Sequence, residues 1–393
     1  DENTLYAGGI DLHKSTDAGT SWTMISVWHS YYADQLNIEY VHADQHSFAF
    51  GSNSSTIIFG NDGGLHMTTD GGSNFTDKNS GYNVTQFYSA AIHPTASDYY
   101  YLAGSQDNGT QQFTNATGIV STIEVVGGDG AYCFIDQDTP ITQIASYTNN
   151  NYYLENDGDN DFYDKLTTQN LTGGRFINPS DYDNNANILY AANDANSIVR
   201  WDINDYGEST FSISLGETAS NIRVSDYTDN TIFIGTGSGK LFKVSNANDS
   251  SPSSTEITGS SFPAGYISSI EIGTSDAQLL VTFSNYGVSS VWETADGGSS
   301  WSEKEGDLPD MPVRWALYNP INRNEVILAT EIGIWHTTDF NSSTPTWLAS
   351  VDGLANVRID MLQIRQSDGF VVAATHGRGL FSSTMFQGGT CTA

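Results

Sequence analysis

The feature of this 393-residue sequence that most constrains its fold is a strand-pair pattern that recurs nine times. A copy has four to six apolar or β-branched residues, a polar turn that contains Gly in most copies, and a second short run of the same kind. The copies begin near Thr4, Thr56, Tyr99, Ile141, Asn187, Thr231, Gln278, Glu325 and Gly369. A pattern of this kind, repeated along most of the chain, predicts a repeat fold made of β-hairpins.

The spacing of the copies indicates the size of one repeat. Successive copies begin about 42 to 52 residues apart, and a four-stranded propeller blade needs a similar length. A further apolar strand precedes most copies, as at 47–51 and 269–273, and most are followed by a fourth strand with Trp or Phe. We therefore predict an all-β fold: a β-propeller of four-stranded blades, most simply seven or eight.

The ends of the chain are incomplete repeats. Residues 1–28 fit strands two to four of a blade, residues 39–352 hold seven complete repeats, and 357–386 fit strands one to three. We expect a single propeller over 1–386, followed by a tail at 387–393. The end repeats either merge into an eighth blade or belong to another propeller of a longer polypeptide.

A second motif, S/T-x-D-x-G-x-x-W/F, lies between the third and fourth strands. It begins at Ser15, Thr68 and Thr294, and a fourth copy, Thr337-Thr338-Asp339, reaches its aromatic residue at Trp347 after an insertion. The Asp carboxylate is expected to accept turn N–H groups and the Gly to supply a positive φ. We expect a folding device rather than a catalytic one.

These boxes resemble those of the Asp-box (BNR-repeat) propellers, which include sialidases, xyloglucanase-type glycoside hydrolases and the sortilin ectodomain. The segments VHADQH, GNDGG, QDNGT and ATHGRGL are similar to segments of large secreted repeat proteins of Bacteroidetes. The resemblance implies a secreted or cell-surface, extracellular protein. The chain lacks the Arg-Ile-Pro motif and a secure Tyr–Glu pair, so sialidase activity is not expected.

The amino-acid composition limits the kinds of partner that this chain can bind. A net charge of −32 argues against nucleic acid and anionic membranes, because both are bound through clustered Lys and Arg. No apolar run is long enough for a membrane span. The two cysteines are too few for a disulfide framework.

The topology of a blade places several polar residues on one rim of the channel, opposite the Asp boxes. Asp62, Asp107 and Asp129 come from three successive repeats there, and paired carboxylates can serve glycoside hydrolysis. In the xyloglucanase-type enzymes a catalytic Asp precedes Gly at a comparable turn, and Asp62 is the nearest match. Asp-Gly is also a very common turn dipeptide, and we favour that interpretation.

Other residues are candidates for ligand contact. His42, Asp44 and His46 share one side if they lie on a strand, where they could bind a metal or form a polar network. The remaining ligand-binding candidates are Gln106, Arg314, Trp315, His376 and Arg378. Four arginines near inner strands, Arg175, Arg223, Arg314 and Arg358, either clamp a carboxylated sugar or neutralise nearby acids, and we favour the second role.

The run Asp157, Asp159 and Asp161 has a D-x-D-x-D spacing that suits calcium. Turn stabilisation explains the same spacing, since the run stands where an Asp box would be. No cofactor is required by the sequence, and calcium is the one cation that it suggests.

These observations favour a binding or structural module for glycan or protein partners. The alternative is a xyloglucanase-like glycoside hydrolase that uses two of the three axial aspartates. We rank it second because no complete catalytic set can be named.

Overall fold

A computed structural model describes residues 2–96, 98–163, 165–166, 173–351, 353–354 and 356–386. The tail expected at 387–393 lies outside the described residues. The described chain is all-β apart from one short helix, and each of the nine predicted strand pairs is an antiparallel hairpin. The pairs of short apolar runs separated by polar turns therefore predicted these hairpins correctly.

The contacts of the chain divide it into two compact units, 1–84 and 85–393. The sequence analysis expected one continuous unit over 1–386. Each unit is described by itself below.

The first unit contains two antiparallel sheets and a parallel strand pair. Sheet 1 has β1 Leu5–Gly8, β2 Leu12–Ser15 and β3 Thr23–Met24; the pair is β4 Ser26–Val27 and β5 Glu39–Tyr40, with helix α1 Ser30–Leu36 between them; sheet 2 has β6 Gln45–Phe50, β7 Ile57–Asn61, β8 Gly64–Thr68 and β9 Thr76–Asp77. The ring nitrogen of His29 accepts the Tyr31 N–H at the start of α1, and Asn37 ends the helix in the left-handed conformation. α1 buries none of its own residues.

The second unit contains seven antiparallel sheets, numbered 3 to 9 in chain order. Sheet 3 has β10 Ala91–Ile92, β11 Tyr101–Gly104, β12 Thr110–Phe113 and β13 Ile123–Val126; sheet 4 has β14 Cys133–Ile135, β15 Gln143–Ser146, β16 Tyr152–Glu155 and β17 Lys165–Leu166; sheet 5 has β18 Ser180–Asp183, β19 Ile188–Asp194, β20 Ser197–Asp202 and β21 Gly207–Ser212; sheet 6 has β22 Ala219–Val224, β23 Ile232–Thr236, β24 Leu241–Ser245 and β25 Ser253–Glu256. Sheet 7 has β26 Ile267–Ile272, β27 Leu279–Phe283, β28 Val291–Thr294 and β29 Ser302–Glu303; sheet 8 has β30 Val313–Tyr318, β31 Val326–Thr330, β32 Gly333–Thr337 and β33 Leu348–Ala349; sheet 9 has β34 Ile359–Arg365, β35 Phe370–Thr375 and β36 Leu380–Ser383.

Strands follow chain order within every one of these sheets, so each sheet is a simple meander. Among the described residues, sheets 2 to 8 have four strands, whereas sheets 1 and 9 have three. The sequence analysis expected seven complete repeats between two incomplete ends. We call the first strand of each sheet in the second unit (β10, β14, β18, β22, β26, β30 and β34) its inner strand.

The sheets of the second unit are buried on both faces, and β23 illustrates how. Ile232 and Ile234 pack with sheet 5, whereas Phe233 between them packs with sheet 7. Successive side chains of a strand point to opposite faces of the sheet. A sheet that is packed between two others therefore needs apolar residues at both the odd and the even positions of its strands. This requirement explains the continuous apolar runs of the second strands.

Sheet 9, the last sheet of the second unit, packs against sheet 3, the first sheet of the same unit. Val372 and Ala374 of β35 share a core with Tyr101 of β11, and the ring of Tyr101 stacks on that of Phe370 at 6.3 Å. The alternate residues of β35 pack toward sheet 8. Sheet 9 therefore lies between sheet 8 and sheet 3, although about 270 residues of chain separate β35 from β11.

Arg365, at the end of β34, joins the same two sheets through polar contacts. Its guanidinium donates to the carbonyl oxygens of Thr95 at 3.0 Å and Asp98 at 2.8 Å. It also forms an ion pair with Asp368 at 2.9 Å and lies 5.1 Å from the ring centre of Phe370. Only 2% of the Arg365 side chain is exposed, so this buried cation is fully engaged by acceptors, as a buried charge must be.

The four S/T-x-D turns that join the last two strands of sheets 1, 2, 7 and 8 are called the Asp turns: those of Asp17, Asp70, Asp296 and Asp339. In the first, the Ser15 hydroxyl donates to the Asp17 carboxylate at 2.8 Å and accepts the Gly19 N–H at 2.9 Å. Asp17 in turn accepts the hydroxyl and the backbone N–H of Ser21. These bonds lower the pKa of Asp17 to about 2, and the bond from the Ser21 hydroxyl makes the largest contribution. The same Ser or Thr to Asp bond is present in the other three turns.

Candidate functional site

A cavity of about 520 Å³ lies in the second unit, and all seven inner strands contribute to its wall. Residues of the turns that leave these strands complete the wall. In a meander these turns lie at the same edge as the Asp turns, because strand direction reverses at every turn. We call this feature the inner-strand cavity.

Acidic groups outnumber basic groups in the wall. The acids are Asp138, Asp181, Asp183, Asp226 and Glu271, and the cations are Arg223 and Arg323. Arg223 forms ion pairs with Asp181 at 3.4 Å and Asp226 at 2.9 Å. The arginine is thereby held in place by two carboxylates, and the cavity keeps an excess of negative charge and hydrogen-bond acceptors.

Glu271 of β26 is the most perturbed of these acids. Burial raises the pKa of Glu271 to about 7. The positive charge of Arg223 partly opposes this rise, and the negative charge of Asp226 adds to it. One of its oxygens accepts the backbone N–H of Tyr318 at 3.4 Å. A carboxyl group with this pKa exists in both protonation states at neutral pH, so it can donate or accept a hydrogen bond.

Amide and aromatic side chains supply the rest of the polar wall. Gln363 on β34 and Asn184 after β18 are half-buried, and Tyr227 after β22 is 49% exposed. Trp315, on β30, also lines the cavity. Of the candidate ligand residues named in the sequence analysis, Trp315 and Arg223 belong to the wall.

At the opposite ends of the inner strands, four residues form what we call the Tyr88 cluster: Tyr88, Gln106, His376 and Asp360. Gln106 accepts the Tyr88 hydroxyl, and the Tyr88 and His376 rings lie 6.2 Å apart. His376 Nδ1 lies 2.9 Å from the Asp360 carboxylate. The structure therefore brings two predicted ligand-binding residues, Gln106 and His376, into one polar network with Tyr88 and Asp360.

The arginines singled out in the sequence neutralise acids or bind carbonyl groups. Arg314 forms an ion pair with Glu331 at 2.6 Å, and Arg358 pairs with Asp360 at 2.6 Å. Arg175 donates to the carbonyl oxygens of Thr218 and Ala219. Together with the pairs of Arg223, these contacts agree with the neutralising role that we favoured. The exposed Arg378 donates to the neighbouring Gly377 carbonyl at 3.0 Å.

Two of the three candidate catalytic aspartates meet in a turn contact. The Asp129 carboxylate accepts the backbone N–H of Asp107 at 3.2 Å, and Asp107 has a φ of +56°. This is the geometry of a carboxylate that caps a tight turn. Asp62 lies in the first unit, where it pairs with His46.

His42, Asp44 and His46 do not share a strand. β6 begins at Gln45, and Asp44 has a φ of +59°, so the alternation expected along a strand does not extend back to His42. The chain turns before the strand begins, and His46 alone of the three is a strand residue.

In the calcium candidate, the carboxylates of Asp157 and Asp159 lie close together, and the third member of the group is Glu155 instead of Asp161. Asp161 accepts the Tyr163 N–H at 2.9 Å as a turn cap. Glu155 was missed because it ends a strand and precedes the Asp run. Its place, where the Asp turns have Ser or Thr, was the available signal.

The sequence analysis selected none of the acids that line the inner-strand cavity. Of the two arginines in its wall, it selected Arg223 and missed Arg323. Asp181, Asp226 and Glu271 are far apart in sequence and belong to no motif. No family model matches the sequence, and no curated protein is recognisably similar to it. The described residues include no helix of the length and apolarity that a membrane span requires.

Proposed function

We propose that residues 85–386 form a seven-bladed β-propeller of the Asp-box type, with sheets 3 to 9 as its blades. Three observations support this proposal: the meander order of every sheet, the shared cavity of the seven inner strands, and the packing of sheet 9 on sheet 3. A ring of sheets protects strand edges that an open row would expose.

We further propose that the protein is a secreted or cell-surface module that binds a glycan in the inner-strand cavity. The observation that carries the proposal is the convergence of all seven inner strands on one concave site, whose polar side chains come from β18, β22, β26, β34 and the turns that follow the inner strands. Pockets of a few hundred Å³ with a small number of placed polar groups are typical of ligand sites.

The charge of the wall favours a neutral glycan over a sialylated or sulfated one. Five acids face two arginines, and Arg223 is already paired with Asp181 and Asp226. Carboxylates and amide oxygens accept hydrogen bonds from sugar hydroxyls, and Gln363 can donate to a hydroxyl oxygen. The exposed ring of Tyr227 offers an apolar face to a sugar ring.

A glycan array probed with the purified chain tests this function. We expect retention on neutral glycans, and a loss of affinity of about tenfold or more in Gln363→Ala and Asp226→Ala, each of which removes a polar contact. Asp249→Ala is the matched control, because Asp249 is exposed and does not line the cavity. Absence of any bound glycan, or equal binding by all variants, would refute the proposal.

The glycoside hydrolase alternative stays a prediction. The turn contact between Asp107 and Asp129 favours their structural role. Hydrolysis of β-glucans by the chain, abolished in Asp62→Ala, would establish the alternative, and an unchanged rate in that variant would exclude Asp62 as the catalytic acid.

A further inference from the structure

The turn that follows β16 occupies the same place in sheet 4 as an Asp turn does in other sheets. In each Asp turn the last residue of the strand before the turn is Ser or Thr, and the Asp follows two residues later. In sheet 4 the last residue of the third strand is Glu155, and Asp157 follows two residues later. A carboxylate therefore replaces the hydroxyl.

This replacement keeps one role of the hydroxyl and removes the other. Glu155 Oε1 accepts the backbone N–H of Asp157 at 2.9 Å and of Gly158 at 2.7 Å, as the Ser or Thr oxygen accepts turn N–H groups elsewhere. A carboxylate carries no hydrogen, however, so Glu155 cannot donate to Asp157 as Ser15 donates to Asp17.

A third carboxylate takes the place of the Gly that stands four residues after the Ser or Thr in three of the four Asp turns. Asp159 stands four residues after Glu155, where Gly19 stands after Ser15. One oxygen each of Glu155, Asp157 and Asp159 lies within 4.8 Å of the others. Three negative groups thus meet at the position that a donated hydrogen occupies in the other turns.

The burial of Glu155 is an independent observation. Its side chain belongs to a residue that is 3% exposed, and Oε2 has no hydrogen-bond partner among the described residues. A buried carboxylate oxygen without a partner destabilises the folded state unless a cation or a proton compensates it.

We infer that Glu155, Asp157 and Asp159 bind a calcium ion, which replaces the hydroxyl hydrogen of an Asp turn. Ca²⁺–O distances of about 2.4 Å allow ligand oxygens to lie up to about 4.8 Å apart, and carboxylates are preferred ligands. Water completes the six to eight oxygens that Ca²⁺ takes. The ligand set differs from the D-x-D-x-D set predicted from the sequence, because Glu155 takes the place of Asp161.

Isothermal titration of the full chain with CaCl₂, after dialysis against EDTA, tests the site. We expect one saturable site with a Kd of about 10⁻⁴ to 10⁻³ M, the range of exposed extracellular sites. Glu155→Gln keeps an oxygen for the two turn N–H groups and adds an NH₂ donor toward Asp157. It should lower Ca²⁺ affinity at least about tenfold while the fold is kept.

Asp159→Asn is the second variant, and Asp161→Asn is the matched control. Asp159 is exposed, so its substitution leaves the fold intact, and it should weaken Ca²⁺ binding as Glu155→Gln does. Asp161→Asn removes the same charge from the same turn and should bind Ca²⁺ as the wild type does. The melting temperature should rise with Ca²⁺ in the wild type and not in Glu155→Gln. The inference is overturned if the wild type shows no saturable Ca²⁺ site, or if Asp159→Asn binds as tightly as Asp161→Asn.

Discussion

Replacement of Arg365 by Met tests whether the buried contacts between sheet 9 and the turn after β10 stabilise the second unit. Met keeps an apolar chain of similar length but removes the guanidinium. The Arg365 side chain is 2% exposed and donates to Thr95, Asp98 and Asp368 at 3.0 Å or less. The substitution therefore removes buried charge-assisted bonds that water cannot fully replace.

The magnitude follows from these contacts. A hydrogen bond to a charged group contributes about 1.5 to 3 kcal/mol, and loss of one partner of a buried ion pair costs about 3 to 5 kcal/mol. Asp368 is 22% exposed and so regains part of its hydration in the variant. We expect Arg365→Met to lower the free energy of unfolding by about 3 to 5 kcal/mol.

Guanidinium chloride unfolding measures this loss, and hydrogen exchange locates it. Exchange should accelerate in β10, β11, β34 and β35, which lie on the two sides of the contact. Arg378→Met is the control, because the exposed Arg378 side chain donates only to the adjacent Gly377 carbonyl among the contacts described here; its effect should stay within about 0.5 kcal/mol. An effect of Arg365→Met no larger than that of the control would refute the reasoning.

Three further predictions concern single buried groups. Burial raises the pKa of Glu271 to about 7, so the folded state binds its proton more tightly than the unfolded state does, and this group lowers stability as the pH rises from about 4.5 to 7. The stability of Glu271→Gln relative to the wild type should therefore increase between pH 5 and pH 8, by up to about 3 kcal/mol in urea unfolding. Thr294→Val should lower the free energy of unfolding by about 1 to 3 kcal/mol, because the buried hydroxyl accepts the Gly298 N–H at 3.0 Å and donates to Asp296. Cys133 is buried and its pKa is raised to about 12 by desolvation, so mass spectrometry should find it unmodified by iodoacetamide until the protein unfolds.

Each of these predictions has a clear contrary result. A difference between Glu271→Gln and the wild type that does not change with pH would show that Glu271 does not titrate in this range. Equal stability of Thr294→Val and the exposed control Thr274→Val would contradict the structural role of the turn hydroxyl. Rapid alkylation of Cys133 under native conditions would contradict its burial.

The sequence by itself determined the local structure. The nine hairpins, their order and the hydrogen bonds of the Asp turns follow from short apolar runs and from turn chemistry, which act between residues only a few positions apart. The incomplete first and last sheets were predicted for the same reason, since a missing strand is visible as a missing apolar run. Charge neutralisation by Arg314 and Arg358 also follows from local chemistry, because both pair with acids of the same sheet.

Only the tertiary structure decided which polar residues meet. The cavity wall draws Asp181, Arg223 and Glu271 from three different sheets, and no motif links residues that lie more than 40 positions apart. The strand alternation that grouped His42, Asp44 and His46 depended on where β6 begins, and the left-handed backbone at Asp44 decided that. The partner of Asp157 and Asp159 depended on a strand end, where the buried Glu155 takes the place of a hydroxyl. Sequence pattern fixes the contacts between near neighbours, whereas the packing of whole sheets determines which distant side chains share one site.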